Sequence, residues 1–225
     1  LSVSQWKKRW KKKHVAIGLG LGATNAGATP ISVAMARLQA DGIINVLAGS
    51  TEMGQGVRTV LSQIAAEELN TPLECVRLSG ADTSVTPYDS STGSSRSTTL
   101  MGRAVLAAVR DLKKQLVEIA AKVFDVPQRR VRVIDGGVVC GESRMTFLEL
   151  LKQRFGGPGG EIIGHGDVGP EITGSLPVFW EIGMGSAELD VDYETGEIRI
   201  LRYFSVADVG KAINPNQCIV QEEGA

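Results

Sequence analysis

The chain has 225 residues, of which 43% are hydrophobic and 22% charged, a composition typical of a globular protein and not of a disordered one. Its 24 Lys and Arg residues balance its 25 Asp and Glu residues, so the overall charge favours neither nucleic-acid nor membrane binding. No apolar run in the sequence is long enough to span a membrane.

The cysteines and histidines argue against a metal centre built by this chain alone. Cys75, Cys140 and Cys218 are far apart and form no CxxC pair, and the only histidines are His14 and His165. Unpaired cysteines predict free thiols in a reducing compartment, and we therefore expect a cytoplasmic protein. Zinc and iron–sulfur sites need more Cys and His ligands than these.

The sequence begins with a basic segment, QWKKRWKKK at positions 5–13. No apolar region with a small-residue cleavage site follows it, so it does not resemble a secretory signal. Two alternatives stay open: a patch for membranes or nucleic acids, or a solvated basic segment, which is the commoner role of such a run. Because neither end of the sequence carries an obvious terminal element, we expect the chain to be part of a longer protein.

Strands and helices are predicted to alternate through the first 155 residues. Residues 14–22 are apolar and glycine-containing, which predicts a buried strand, and Asp41-Gly42 lies between two apolar runs as in a hairpin. Residues 57–70 carry apolar side chains at helical spacing. The later elements predicted are a strand at 74–79, a long loop at 81–98, a helix at 100–124, a hairpin of 131–134 with 138–140, and a short helix starting within 143–147 and ending near 155, with Thr146 as its N-cap.

Residues 156–177 contain eight glycines and three prolines, which predicts a flexible connection or a surface excursion. Beyond it, residues 184–191 and 197–207 predict a third hairpin. We therefore expect an α+β fold of mixed sheets with two long helices packed on them. Its predicted divisions are 1–155, the connection 156–177, and a β-hairpin segment 178–225.

Two loops rich in small residues each lead into a predicted helix. In the first, GSTEMGQG at 49–56, glycine allows close backbone approach, and the Gln55 amide can both donate and accept hydrogen bonds. The second holds Ser94, Ser95 and Ser97, with Arg96 able to form paired hydrogen bonds with a phosphate. Because helix N-termini attract anions, the two loops predict a cradle for one phosphate-rich ligand.

Each loop also has an ordinary structural explanation. The first could be a tight strand-to-helix turn with Met53 in plain packing, and the second a surface loop with an N-cap. Glu52 and Asp82 are candidate acids, although solvated loop carboxylates are the commoner case. His165 has no recognisable catalytic context, and no catalytic triad is predicted.

The order and spacing of ten short motifs resemble the molybdenum-binding large subunit of the xanthine dehydrogenase and aldehyde oxidase family, the molybdenum hydroxylases. The similarity extends from about residue 16 to the end. The motifs are GSTEMGQGVRT at 49–59, QIAAE at 63–67, DT at 82–83, TGSSRST at 92–98, GRAV at 102–105, AELDVD at 187–192, ETGE at 194–197, DVG at 208–210, NP at 214–215 and QEEGA at 221–225.

The resemblance implies a molybdopterin cofactor, or its cytosine dinucleotide form, whose metal is held by the pterin and not by protein side chains. It places Met53, Gly54 and Gln55 against the pterin and metal end. It assigns the serines of residues 94–97 to the cofactor phosphate, and Gln221 to the pterin from a third loop. No catalytic residue and no metal ligand of the protein is predicted in this chain.

The departures from the family concern catalysis. The family's glutamate base would lie downstream of residue 225, and Glu222 and Glu223 do not match it. Its glycine-phenylalanine loop would lie upstream of Leu1, and Val220 stands where the family usually has glycine. We therefore expect this chain alone to be inactive.

The full enzyme implied by the resemblance hydroxylates an aldehyde or an N-heterocycle such as xanthine. Its partners would be the remainder of the large subunit and iron–sulfur and FAD domains or subunits, in an oligomer, with a small-molecule substrate and no nucleic acid. The alternatives are a non-catalytic phosphate- or nucleotide-binding module and a structural interaction domain.

Overall fold

The computed structural model describes residues 15–26, 29–80, 82–157, 159–170 and 178–224. The strands are β1 Val15–Ala26, β2 Ser32–Leu38, β3 Ile44–Ala48, β4 Val76–Ser79, β5 Arg132–Ile134, β6 Gly137–Cys140, β7 Ser143–Thr146, β8 Ile162–Val168, β9 Phe179–Val191 and β10 Ile198–Asp208. The helices are α1 Val57–Leu69, α2 Gly102–Val123, α3 Phe147–Phe155 and α4 Pro215–Gly224.

The chain divides into two compact units, and the division differs from the one predicted at residues 155 and 177. The larger unit is Ala26–Phe179, and the smaller combines Leu1–Asn25 with Trp180–Ala225. The reason is strand pairing, because β1 lies beside β9 in one sheet although the two are far apart in sequence. Residues 162–168 belong to the larger unit for the same reason, since β8 pairs with β2.

A mixed four-stranded sheet forms the centre of the larger unit, with strand order β4-β3-β2-β8. The hairpin at Asp41-Gly42 is confirmed, because β2 and β3 pair antiparallel on either side of it. The β3–β4 pair is parallel, and α1 is the crossover between them. This arrangement directs the end of β3 into the 49–56 loop and then into α1.

Helices α1 and α2 cover the sheet with continuous apolar faces. On α2, buried residues recur at intervals of four, and Ala104, Ala108, Leu112 and Leu116 are fully inaccessible. They join one hydrophobic cluster with the buried side chains of α1 and the sheet. The predicted helices at 57–70 and 100–124 are confirmed, and with the mixed sheet they confirm the α+β class.

The glycine-rich stretch 156–177 is not simply a connection, because strand β8 occupies its middle. Its glycines permit β8 to lie directly on α2. A Cβ atom at Gly164 would be 2.2 Å from the Ala108 carbonyl oxygen, and one at Gly166 would be 2.2 Å from the Ala108 nitrogen. Here glycine therefore marks close packing and not flexibility.

A small antiparallel sheet, β5-β6-β7, precedes α3 in the larger unit. Residues 143–146, predicted as the approach to a helix, form β7 because they pair with β6. Thr146 is the N-cap as predicted: its hydroxyl accepts from the Glu149 amide, and the Glu149 carboxylate accepts from the Thr146 amide.

The smaller unit contains the sheet β1-β9-β10 and α4. The third predicted hairpin is confirmed with longer strands than predicted, and residues 192–196 make its turn. Helix α4 was not predicted. Its start is nevertheless typical, because Pro215 is the first helical residue and the Asn214 side chain accepts from the Gln217 amide. Within the described residues, no helix has both the length and the hydrophobicity needed to cross a membrane.

Candidate functional site

The structure brings the two predicted loops together in the larger unit. The Thr51 amide donates to the Thr92 hydroxyl at 2.9 Å, and the Ser50 hydroxyl donates to the Asp89 carboxylate at 2.9 Å. Gly49 permits this approach, since a Cβ there would be 2.8 Å from the Asp89 Cβ. The loops before α1 and before α2 therefore form one continuous surface.

Arg96 lies beneath this surface and is only 1% exposed. Its Nη1 donates to Asp89 at 2.7 Å and to the Ser91 carbonyl at 2.5 Å. Its Nη2 donates to the Ile31 carbonyl at 2.5 Å and to the Ser32 hydroxyl at 3.0 Å. The sequence predicted that the Arg96 guanidinium binds a phosphate. Here its terminal nitrogens bind Asp89, which supplies the opposite charge, and connect the loop to the start of β2.

The serine segment, residues 94–97, is the part of the surface best suited to an anion. Ser94 and Ser95 are exposed and have left-handed backbones, with φ of 58° and 48°. Ser97 begins a π-helical turn, Ser97–Met101, that continues directly into α2. Consecutive residues of this kind turn backbone N–H groups toward one point, and the first turn of a helix has N–H groups without intrahelical acceptors.

The charge around the serine segment also suits an anion. Residues 97–105, all of them described, include no acidic side chain in the first turns of the π-helix and of α2. The exposed side chains of Ser94 and Ser95, the left-handed backbone and the helix start therefore suit an anion. The Ser97 side chain is half-buried, and its hydroxyl donates to the Thr92 carbonyl at 3.5 Å. Non-glycine residues rarely adopt positive φ, and π-helical turns are frequent at functional sites, so both features are consistent with a binding role.

The 49–56 loop has a different character, because its polar groups bind one another. The Gln55 Oε1 accepts from the Met53 amide at 2.6 Å, and the Gln55 Nε2 donates to the Thr51 carbonyl at 2.8 Å. The Met53 side chain extends outward and is 70% exposed. Gly54 and Gly56 have positive φ, which a β-carbon would strain.

Glu52 caps the start of α1. Its Oε1 accepts from the amides of Gly54 and Gly56 at 2.9 and 3.0 Å, and its Oε2 accepts from the Arg58 amide at 3.1 Å. Slight burial raises the pKa of Glu52, but these three hydrogen bonds and the Arg58 charge together lower it below its ordinary value of 4.5. The expected anion site at the head of α1 is therefore filled by the chain's own carboxylate.

We expect Glu52→Gln to reduce the free energy of unfolding by about 1 kcal/mol near neutral pH, because the charged cap is lost. A lowered folded-state pKa means that the contribution is complete above the unfolded-state pKa and is lost as pH falls through the folded-state value. The two proteins should thus become equally stable in acid. Denaturant titrations across this pH range measure the difference. Glu67→Gln, at an exposed position of α1, controls for the loss of one charge; a difference independent of pH would contradict the assignment.

The remaining candidate residues are Asp82, His165 and Gln221. Asp82 is exposed, and the Ser84 hydroxyl and amide both donate to it and lower its pKa. His165 is on β8, where its backbone amide donates to Asp111. Gln221 is on α4 in the smaller unit, so the predicted third loop is a helix at this position.

Asp89 is the site residue that the sequence did not indicate. It accepts hydrogen bonds from Ser32, Ser50 and Arg96, which approach it from three different parts of the chain. No local pattern could have identified it, because its role depends on these distant partners. In the part of the chain that the structure describes, no group of three or more His, Cys, Asp or Glu side chains is placed to hold a metal ion, and Cys75, Cys140 and Cys218 are free thiols.

Comparison with known proteins defines the family and the fold class of this chain. Residues 2–225 match the family model described as the molybdopterin cofactor-binding domain. The chain therefore belongs to this family, the molybdenum-binding part of the molybdenum hydroxylases, and the resemblance found in the sequence is confirmed.

The chain is also similar to individual members of this family. The chain is 30% identical, over 95% of its length, to the putative xanthine dehydrogenase molybdenum-binding subunit XdhA of Escherichia coli (strain K12), and 28% identical, over 94%, to the probable hypoxanthine oxidase XdhD of the same strain. It spans 30% and 22% of those two proteins. The structure of quinoline 2-oxidoreductase from Pseudomonas putida 86 shares the fold, with a TM-score of 0.78, 21% identity and coverage of 98% of this chain and 30% of that one.

Proposed function

We propose that this chain is the part of a molybdenum hydroxylase that positions the cofactor for oxidative hydroxylation of an N-heterocycle, with an aldehyde as the alternative substrate class. The relatives named for xanthine and hypoxanthine support the first class. When bound, the molybdenum cofactor supplies the redox centre at which a water-derived oxygen reaches the substrate carbon. The chain's own share is to hold and orient that group.

The serine segment carries this proposal. Ser94, Ser95 and Ser97 bind the cofactor phosphate through hydroxyls and through the N–H groups that precede α2. Arg96 supports them from below through Asp89 and does not touch the phosphate, in keeping with its burial.

The 49–56 loop provides the second contact. Met53 and Gly54 form the outer edge against which the pterin lies, and Gln55 shapes that edge by closing the loop on itself. Either molybdopterin or its cytosine dinucleotide form suits this arrangement, since both carry the phosphate.

The remaining functions belong to other parts of the enzyme. We propose that iron–sulfur and FAD domains or subunits accept the electrons, that the rest of the large subunit supplies the glutamate base, and that the assembly is a cytoplasmic oligomer. This chain alone is expected to bind cofactor without turning over substrate.

The test removes the hydroxyls while keeping the backbone. In Ser94→Gly/Ser95→Gly, glycine retains the left-handed conformation, so only the side chains are lost. We expect a loss of cofactor affinity of roughly a hundredfold or more, because each of the two lost hydrogen bonds to a charged group contributes about 1.5–3 kcal/mol. The measurement is the fluorescence of oxidised pterin released per chain, after expression in a host that makes the cofactor.

The matched control is Ser205→Ala, an exposed serine of β10 in the smaller unit. Unchanged pterin content in the double glycine variant would contradict the serine assignment. Equal binding of simple nucleotides and molybdopterin by the wild-type chain would favour a general phosphate-binding module instead. Absence of any pterin on the wild-type chain would contradict the proposed function itself.

A further inference from the structure

The two helix starts beside the candidate site differ in what occupies their N–H groups. At α1, Glu52 accepts from the amides of Gly54, Gly56 and Arg58. The N-cap residue Gly56 has no side chain to perform this function, so a carboxylate four residues earlier performs it. At α2 the first turns hold no acidic residue, and exposed serines precede them.

A second side chain of the 49–56 loop, that of Gln55, also binds backbone groups of the loop. Gln55 uses its amide oxygen for the Met53 amide and its amide nitrogen for the Thr51 carbonyl. Together with Glu52, it engages the backbone N–H groups of four residues between 53 and 58 within the loop and the first helical turn. These four donors are therefore engaged before any ligand arrives, and the exposed Met53 side chain is what the loop presents outward.

A carboxylate held by three amides also repels a second anion. A phosphate at the head of α1 would have to displace Glu52, losing its three hydrogen bonds, or lie beside a negative charge. Neither cost exists at α2. The two helix starts therefore have opposite preferences although they border one surface.

We propose that Glu52 is a positioning residue that closes the head of α1 to anions and fixes the 49–56 loop, so that the cofactor phosphate is directed to the serine segment. This inference rests on the proposed function for the identity of the ligand. It replaces the simple picture of two helix starts sharing one phosphate. The closure itself is a property of the chain without cofactor and can be measured there.

The experiment titrates the isotope-labelled full chain with inorganic phosphate and follows the backbone amide signals of Gly54, Gly56 and Arg58 by NMR. In the wild type we expect these signals to stay in place. In Glu52→Ala they should shift saturably, with an apparent affinity at least roughly fivefold above the limit that the unmoved wild-type signals set, which corresponds to the loss of one helix cap. Glu67→Ala removes one charge from the exposed face of the same helix and should behave as the wild type.

A second variant guards against loss of folding. Glu52→Gln keeps the length of the side chain but offers one acceptor oxygen beside a donor group, so its amides should respond to phosphate more than those of the wild type. Saturable shifts of the three amides in the wild type, or none in either folded variant, would overturn the inference. Pterin content, measured in the same proteins, tests the proposed function separately: a wild type without pterin whose amides behave as expected would contradict the function and leave the closure intact.

Discussion

Gly166→Ala is expected to lower the free energy of unfolding of the larger unit by about 3 kcal/mol or more. The new Cβ would lie 2.2 Å from the Ala108 nitrogen and 2.3 Å from the Ala104 carbonyl oxygen. These are main-chain atoms of α2, so no side-chain rotation relieves the overlap. Strand β8 would have to move away from the helix and give up packing over its whole length.

Denaturant unfolding followed by far-UV circular dichroism measures this change, since three of the described helices belong to the larger unit. Gly159→Ala is the matched control in the same glycine-rich stretch, because a Cβ there meets nothing within 4 Å. It should alter the free energy of unfolding by no more than about 0.5 kcal/mol. Equal midpoints for the two variants would show that β8 does not lie on α2 as described.

Arg96→Met is expected to lower the free energy of unfolding by about 3–5 kcal/mol, because it leaves the Asp89 carboxylate buried without its counter-charge. The side chains of this pair are 1% and 4% exposed, so water cannot replace the lost partner. The loop before α2 would also lose its attachment to the Ile31 carbonyl and to Ser32. We therefore expect the variant to lose bound pterin as well as stability.

A double-mutant cycle with Asp89→Asn separates the pair from its surroundings. The double variant should be less destabilised than the sum of the two single variants, since neither charge is then left alone. The control pair is Arg37–Glu161, whose side chains are 34% and 40% exposed. Breaking this pair with Arg37→Met should lower the free energy of unfolding by less than about 1 kcal/mol. Additive effects at Arg96 and Asp89 would contradict the assigned ion pair.

Elements with local causes were predictable from the sequence. The Asp41-Gly42 turn, the apolar spacing of α1 and α2, and the Thr146 cap depend on residues within a few positions of one another. Long-range pairing was not predictable in this way. Strand β8 lies in a stretch rich in glycine and proline, which predicts a loop. It is a strand because it pairs with β2 and lies on α2.

The residues of the candidate site also differ in whether local sequence or distant partners determine their roles. The serine segment was identified from residue type and from its place before a helix, and the structure adds its left-handed backbone. The roles of Arg96 and Asp89 depend on burial and on partners in other segments, which composition cannot reveal. Glu52 is an intermediate case, because its partners are nearby but the direction of its side chain follows from the backbone of Gly54 and Gly56.

The contact of β8 with α2 joins the main chains of the two elements at Gly164 and Gly166. Where main chain rests on main chain, the spacing between helix and strand does not depend on the size of any side chain. The head of α2, and with it Ser97, therefore keeps its depth in the molecule while most surrounding residues are exchanged. Exchanging the surrounding side chains of this chain can then leave the height of Ser97 above the sheet unchanged, provided that Gly164 and Gly166 are retained.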